Sequence, residues 1–158
     1  INAVYMKQAA ADYFKFILDQ GADGNGSEIT LHGEEKAPKE WDQATLLFHT
    51  VTAEIPELVD ELLTRSVNDI NEGTTNAKGG RMTPLFTAVL RRNTDIVRIL
   101  LDHGADPRQG SGNTGGNVKS SLDFAREYLN REKDVDEKKK IEAILQLLTI
   151  ATSKSSSF

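Results

Sequence analysis

The chain has no cysteine among its 158 residues. That excludes a disulfide framework and any thiolate metal site, and it makes an intracellular compartment, cytoplasmic or nuclear, the expected setting. No apolar run approaches the roughly 18 residues that a membrane span needs, so membrane insertion is not expected. Positive charge is in deficit: 19 Lys and Arg stand against 24 Asp and Glu, a formal net charge of −5. Bulk electrostatic binding to nucleic acid or to an anionic bilayer is thereby disfavoured, and only a local basic spot remains open. The three histidines, His32, His49 and His103, show no ligand spacing such as i, i+4 on one helix. They read as surface or capping residues, and no metal site is assigned. No G-x-S-x-G turn occurs. The glycine-rich "GSGNTGG" (110–116) lacks the Lys-Ser/Thr of a phosphate-binding loop and follows no strand pattern. No catalytic residue and no cofactor site is assigned, and an enzyme is not expected. The first residue is Ile1, and no signal-peptide pattern follows it, so a segment of a longer protein is expected.

What the sequence does contain is a repeat. Shifted by 38 residues, Ala44–Leu63 aligns with Met82–Leu101 with seven identities in twenty positions. Thr45, Leu47, Phe48, Val51, Val59, Leu62 and Leu63 match Thr83, Leu85, Phe86, Val89, Val97, Leu100 and Leu101, all at apolar or cap positions. A fixed internal period of this size points to stacked units, each too small to bury its own apolar face.

The clearest unit is "TPLFTAVLRRNTDIVRILLDHGADP", Thr83–Pro107. Thr83 is an N-cap candidate, and Pro84 stands at the first helical position, where its missing N–H costs nothing. Leu85, Ala88 and Val89 recur at i, i+3 and i+4, the stripe of a short helix. Asn93 and Thr94 offer a turn and a second N-cap, with Asp95 in the first turn to suit the helix dipole. Ile96, Val97, Leu100 and Leu101 form the more buried second helix, with both leucines expected to be fully buried. Gly104 supplies the left-handed residue that ends it. In the earlier unit Pro56 stands where a second helix begins.

Thr83–Pro107 resembles an ankyrin repeat, whose pattern is roughly T-P-L-H-x-A-A, a Gly-His turn, I-V-x-x-L-L and then G-A-D. Thr45–Asn71 is similar but departs from it, with Leu46 for the Pro and Ser66 for the Gly. "YFKFILDQGADGN" (Tyr13–Asn25) resembles the second helix and hairpin start of a truncated first repeat. "SSLDFAREYL" (Ser120–Leu129) with "IEAILQLL" (Ile141–Leu148) resembles a degenerate fourth. Phe48 and Phe86 stand where the pattern has His, which replaces a polar link between repeats with apolar packing. The resemblance implies an all-α solenoid of stacked helix–turn–helix repeats with long hairpin or finger loops. It implies a single repeat domain over residues 1–152, with repeats near 1–25, 44–71, 82–108 and 119–150, and a disordered tail at 153–158.

The connections are longer than such repeats usually have. Gly24–Gln43 contains the alternating "EITLH", which reads as a strand. Glu72–Arg81 and Arg108–Lys119 read as mobile loops. Asn130–Lys140 lengthens the turn inside the last repeat, as a solvated continuation of its helix, and the "KKK" at 138–140, set among Glu and Asp, reads as a solvated helix start and not as a nucleic-acid patch. Asn25 holds the hairpin Asn of the pattern, where the family's chemistry allows hydroxylation and structure calls for a hydrogen bond closing the hairpin.

By the resemblance, function follows from architecture. A rigid concave surface suits recognition of a protein or peptide segment of acidic or mixed charge. The expected contacts are Trp41, Asp42, Thr52, Glu54, Lys78, Arg81, Met82, Leu90, Arg91 and Arg92, on the fingers and first helices. Trp41 reads either as an interface anchor or as a pin for the long first finger. Arg91 and Arg92 read either as a basic spot with Lys78 and Arg81 or as charges serving a helix C-terminus. The alternative to a binding module is a structural unit packed against a neighbouring domain of its parent chain, with association through the open face of the truncated first repeat.

Overall fold

The computed structural model describes residues 12, 15, 16, 19, 46–65, 70–75, 80–111 and 118–155. Helix α1 spans Leu46–Thr52 and α2 Pro56–Arg65. A two-stranded hairpin follows, β1 (Thr74–Thr75) against β2 (Arg81–Met82), then α3 (Pro84–Leu90) and α4 (Thr94–Asp102). A second hairpin, β3 (Gly110–Ser111) against β4 (Lys119–Ser120), leads into α5 (Ser121–Arg131) and α6 (Val135–Ser155). Among the described residues three helix pairs thus stack in two layers: α1, α3 and α5 pack in sequence, and so do α2, α4 and α6.

The caps explain why each helix starts where it does. Thr83 is extended and its hydroxyl accepts from the Phe86 N–H at 3.1 Å, with Pro84 beginning α3. Ser120 does the same for α5, accepting from Asp123 N at 3.0 Å. Of the two candidates Asn93 and Thr94, it is Asn93 that caps α4. Its Oδ1 accepts from Ile96 N at 3.1 Å, because Asn93 is the residue still in the extended region when the chain turns. Asp134 caps α6, its Oδ1 accepting from the Asp136 and Glu137 amides at 3.0 and 2.9 Å.

The turns inside the first two pairs are copies of each other. Ile55 N donates to Thr50 O at 3.3 Å, and Asn93 N to Ala88 O at 3.1 Å, 38 residues on. Each turn passes through the left-handed region, at Glu54 and at Arg92, both with φ 56°. Neither is glycine, so each position carries about 1–2 kcal/mol of backbone cost. Gly104 (φ 91°) ends α4 in the same region at no such cost.

The core is the seam between the layers. Leu47, Val51 and Val59 from the first pair meet Leu85, Ala88, Val89, Ile96, Val97 and Leu100 from the second, then Ala125, Ile144 and Leu148 from the last. Phe48 and Phe86 are both buried, as expected of phenylalanines replacing a polar residue between units. Leu100 is completely buried, but Leu101 is only partly so. The expectation for Leu101 is corrected: it points past the seam toward the flank of α6. Ser121, the residue where the previous unit has Pro84, is buried with its Oγ unpartnered.

Three further expectations are corrected. The second and third connections are hairpins at their bases, with Thr74 opposite Met82, Thr75 opposite Arg81, Gly110 opposite Ser120 and Ser111 opposite Lys119. Gly73 makes the first hairpin possible, since a Cβ there would lie 2.5 Å from the Met82 carbonyl oxygen. The charged segment 130–140 is not one unbroken helix: α5 ends at Arg131, and α6 begins anew at Val135 and takes in the lysines 138–140. And α6 runs to Ser155, so the first three residues of the expected tail are its last turn. "EITLH" and Asn25 lie outside the described residues. Asn71, which stands at the end of the second unit as Asn25 does at the first, joins neighbouring units: its Oδ1 accepts from Asp106 N at 2.8 Å. Toward the N-terminus, Arg65 of α2 meets Asp19 at 2.6 Å.

Candidate functional site

The surface of interest is the side of the stack formed by the first helices α1, α3 and α5 and the strands that feed them. Of the ten residues expected there, Trp41, Asp42 and Lys78 lie outside the described residues. Arg81 is exposed on β2, and Met82 beside it is half-buried. Thr52 is half-buried, and its hydroxyl donates to Phe48 O at 2.9 Å within its own helix. Leu90, the last residue of α3, is 44% exposed, a large apolar side chain presented to solvent.

The charged residues divide. The Arg91 side chain is 43% exposed and reaches Glu54 at 3.9 Å, at the limit of an ion pair. Glu54 also accepts from Asn93 Nδ2 at 3.4 Å, so it links the turns of two neighbouring units. Arg92 behaves differently. Its left-handed backbone turns the side chain toward the last helix pair. There Nη1 donates to Glu137 Oε2 at 2.7 Å, Nη2 lies 3.8 Å from Glu132, and the guanidinium carbon sits 4.5 Å from the centre of the Tyr128 ring. The expected basic spot of Arg91 and Arg92 is therefore not one surface: Arg92 is committed to fastening α5 and α6 onto α3, which neither alternative in the sequence had anticipated. Its bond, followed by that of Lys140, holds the Glu137 carboxyl below its ordinary pKa.

Two residues of this surface were not expected from the sequence. Phe124 and Tyr128 are half-buried on α5, four residues apart and so on one helix face. Phe86 and Phe124 have ring centres 4.9 Å apart, and Phe124 and Tyr128 5.6 Å. Leu90, Phe124 and Tyr128 border one narrow crevice where α3 and α5 meet Ile141 and Ile144 of α6. The i, i+4 aromatic pair was the available signal. Beyond it, Glu127 is held by Lys119 and by Arg131 at 2.6 Å, and the Lys119 bond leads in pushing its pKa down.

Elsewhere, a groove of about 290 Å³ runs between α4 and α6, with Leu101, Leu147 and Ile150 along it and Arg98, Asp102 and Lys154 at its rims. His49 is exposed on α1, and His103 caps α4 with Nδ1 2.9 Å from Ile99 O. Among the described residues no cluster of three or more His, Asp or Glu is placed to hold a metal ion. Among them, too, no helix is long and apolar enough to cross a membrane.

Two layers of helix pairs joined by hairpins, with a 38-residue period, is the arrangement expected from the resemblance. The family model for ankyrin repeats (3 copies) matches residues 3–111. The chain belongs to the ankyrin repeat family. Ankyrin repeats generally serve as protein–protein interaction modules and are typically non-catalytic. The match ends at residue 111, so the pair α5–α6 lies beyond the three matched copies, although it stacks on them as a further pair does. No curated protein matches the chain.

Proposed function

We propose that this chain binds a segment of a partner protein on the side of the stack formed by the first helices and the hairpins. The observation that supports this reading is the division of labour in the stack. The second helices spend their apolar faces on each other, while Arg81, Leu90 and Arg91 remain on the outside of the third unit. A large exposed leucine beside a weakly paired arginine is costly to solubility and useful for recognition. Within the set of residues expected from the sequence, Arg81, Met82, Leu90 and Arg91 form the centre of the proposed surface. Glu54 and Thr52 lie at its margin, and Trp41, Asp42 and Lys78 are proposed to extend it.

The partner segment is acidic or mixed in charge, an intracellular setting is proposed with it, and no nucleic acid or lipid is involved. The test is comparative capture. The immobilised chain and its Arg91→Glu variant are exposed to the same extract, and bound proteins are quantified. Proteins retained by the parent and lost from the variant support the reading. Identical captured sets would place recognition elsewhere on the chain.

A further inference from the structure

The surface around α3 carries a more specific expectation about its occupant, which rests on the binding reading above. We infer that it takes an extended segment of another protein in which an apolar side chain is flanked on both sides by carboxylates. The argument begins with the charges. Arg81 and Arg91 bracket α3 at its two ends, on the strand before it and immediately after its last residue. Arg81 enters no ion pair among the described residues, and Arg91 has only the 3.9 Å contact with Glu54 there. The other cations nearby are engaged: Arg92 by Glu137, and Lys119 and Arg131 by Glu127. On a chain of net charge −5, two under-paired arginines at either end of one short helix form a local site of opposite sign.

Between them lies the apolar part. Leu90 is exposed, and behind it stand Phe124 and Tyr128, fixed by the ring ladder from Phe86 and by Arg92 against the Tyr128 ring. Rings already held in place lose little freedom when a ligand covers them, which is what an anchor site requires. The spacing sets the ligand's length. Helix α3 has seven residues, roughly 10 Å of axis. An extended chain advances about 3.3 Å per residue, so about three residues run the length of the helix, and one more at each end brings a carboxylate to each arginine. A carboxylate at each end pairs with Arg81 and Arg91, displacing Glu54 from the latter, and a central leucine-like side chain covers Leu90 and the ring edges.

A displayed library of random seven-residue segments, selected against the whole chain, tests this. The expected outcome is enrichment of segments with Asp or Glu on both sides of an apolar residue. The synthetic form of the best segment should then bind Leu90→Ser and Arg91→Ala variants at least about tenfold more weakly. Both residues are exposed, so circular dichroism of the variants should match the parent. The Arg91→Lys variant, which keeps the charge but loses the planar fork, should fall between Arg91→Ala and the parent. Enriched segments that are basic, or that bind every variant within about twofold of the parent, overturn the inference and leave the broader binding reading standing. No enrichment at all overturns both.

Discussion

The guanidinium of Arg92 lies 4.5 Å from the centre of the Tyr128 ring and donates to Glu137 at 2.7 Å, from a residue whose backbone is left-handed. A backbone cost is thus tolerated at the turn between α3 and α4 because the side chain that incurs it joins the third helix pair to the last. Arg92→Ala keeps the left-handed backbone but removes the stacked cation, and should destabilise the chain by about 1–2 kcal/mol. A double-mutant cycle with Tyr128→Leu should show coupling between the two residues. The equivalent Glu54 fastens less, through contacts at 3.4 and 3.9 Å. Glu54→Gly should therefore be neutral or stabilising by up to about 1 kcal/mol, as the strain is relieved at little loss. Urea titration of the two single variants of the cycle, the double variant and Glu54→Gly checks this; a Glu54→Gly variant less stable than Arg92→Ala would reverse the assignment.

Leu100 is completely buried where α4 meets its neighbours on both sides, and Leu101 is not. Leu100→Ala should cost roughly 2–5 kcal/mol, and Leu101→Ala distinctly less. Because each unit is stabilised through the interface with the next, amide exchange should quicken in α2 and α6 as well as in α4 in the Leu100 variant. A loss below about 0.5 kcal/mol for Leu100→Ala would mean that the repeat register is wrong.

The repeat was legible because its signals are local. Thr83-Pro84 at the start of α3, Pro56 at the start of α2, the apolar stripes and Gly104 at the end of α4 each act through their own backbone, and each stands where the sequence placed it. What was not legible depends on neighbours. Thr94 and Asn93 are both good caps, and only the path of the turn selects Asn93. Glycine, serine and asparagine in the third connection read as a loop, yet its ends pair because the flanking helices hold Gly110 and Ser120 together. Arg91 and Arg92 are chemically identical and adjacent. One φ of 56° sends the second into the seam and leaves the first outside, and composition carries no trace of that.

Acid should loosen the last helix pair in a predictable direction. The carboxyls of Glu137 and Glu127 are held below their ordinary value of 4.5, by Arg92 and Lys140 in one case and by Lys119 and Arg131 in the other. A depressed folded-state pKa means that the unfolded chain binds more protons in the window just below that value. Their stabilisation is therefore complete above about pH 5 and is lost as pH falls through the folded-state values. The thermal midpoint should fall on acidification from about pH 5 to about pH 3, and salt should reduce it at neutral pH. In Arg92→Ala the acid fall should be shallower, since Glu137 then loses its principal partner. An equally steep fall in that variant would assign the acid sensitivity to other carboxylates.

The last expectation concerns the unit that diverges most. Ser121 occupies the first position of α5, where α3 has Pro84, and its hydroxyl is buried without a partner. A hydroxyl in that state forfeits its hydrogen bonds to water, about 1–3 kcal/mol. Ser121→Ala should remove that cost and leave only a small gap, for a net gain of roughly 0.5–1 kcal/mol. Ser121→Pro should gain about as much by a different route. The first residue of a helix needs no N–H bond of its own, and proline's fixed φ restricts the unfolded chain. The preceding residue is already suited to it: Ser120 sits at φ −67° and ψ 160°, the extended region that a following proline favours. Ser120 must be kept as serine, because its hydroxyl caps Asp123 N. Ser120→Ala should lose about 1 kcal/mol. Equilibrium unfolding of the three variants separates the effects, and a Ser121→Pro chain less stable than the parent would show that the start of α5 does not follow the Thr83-Pro84 pattern.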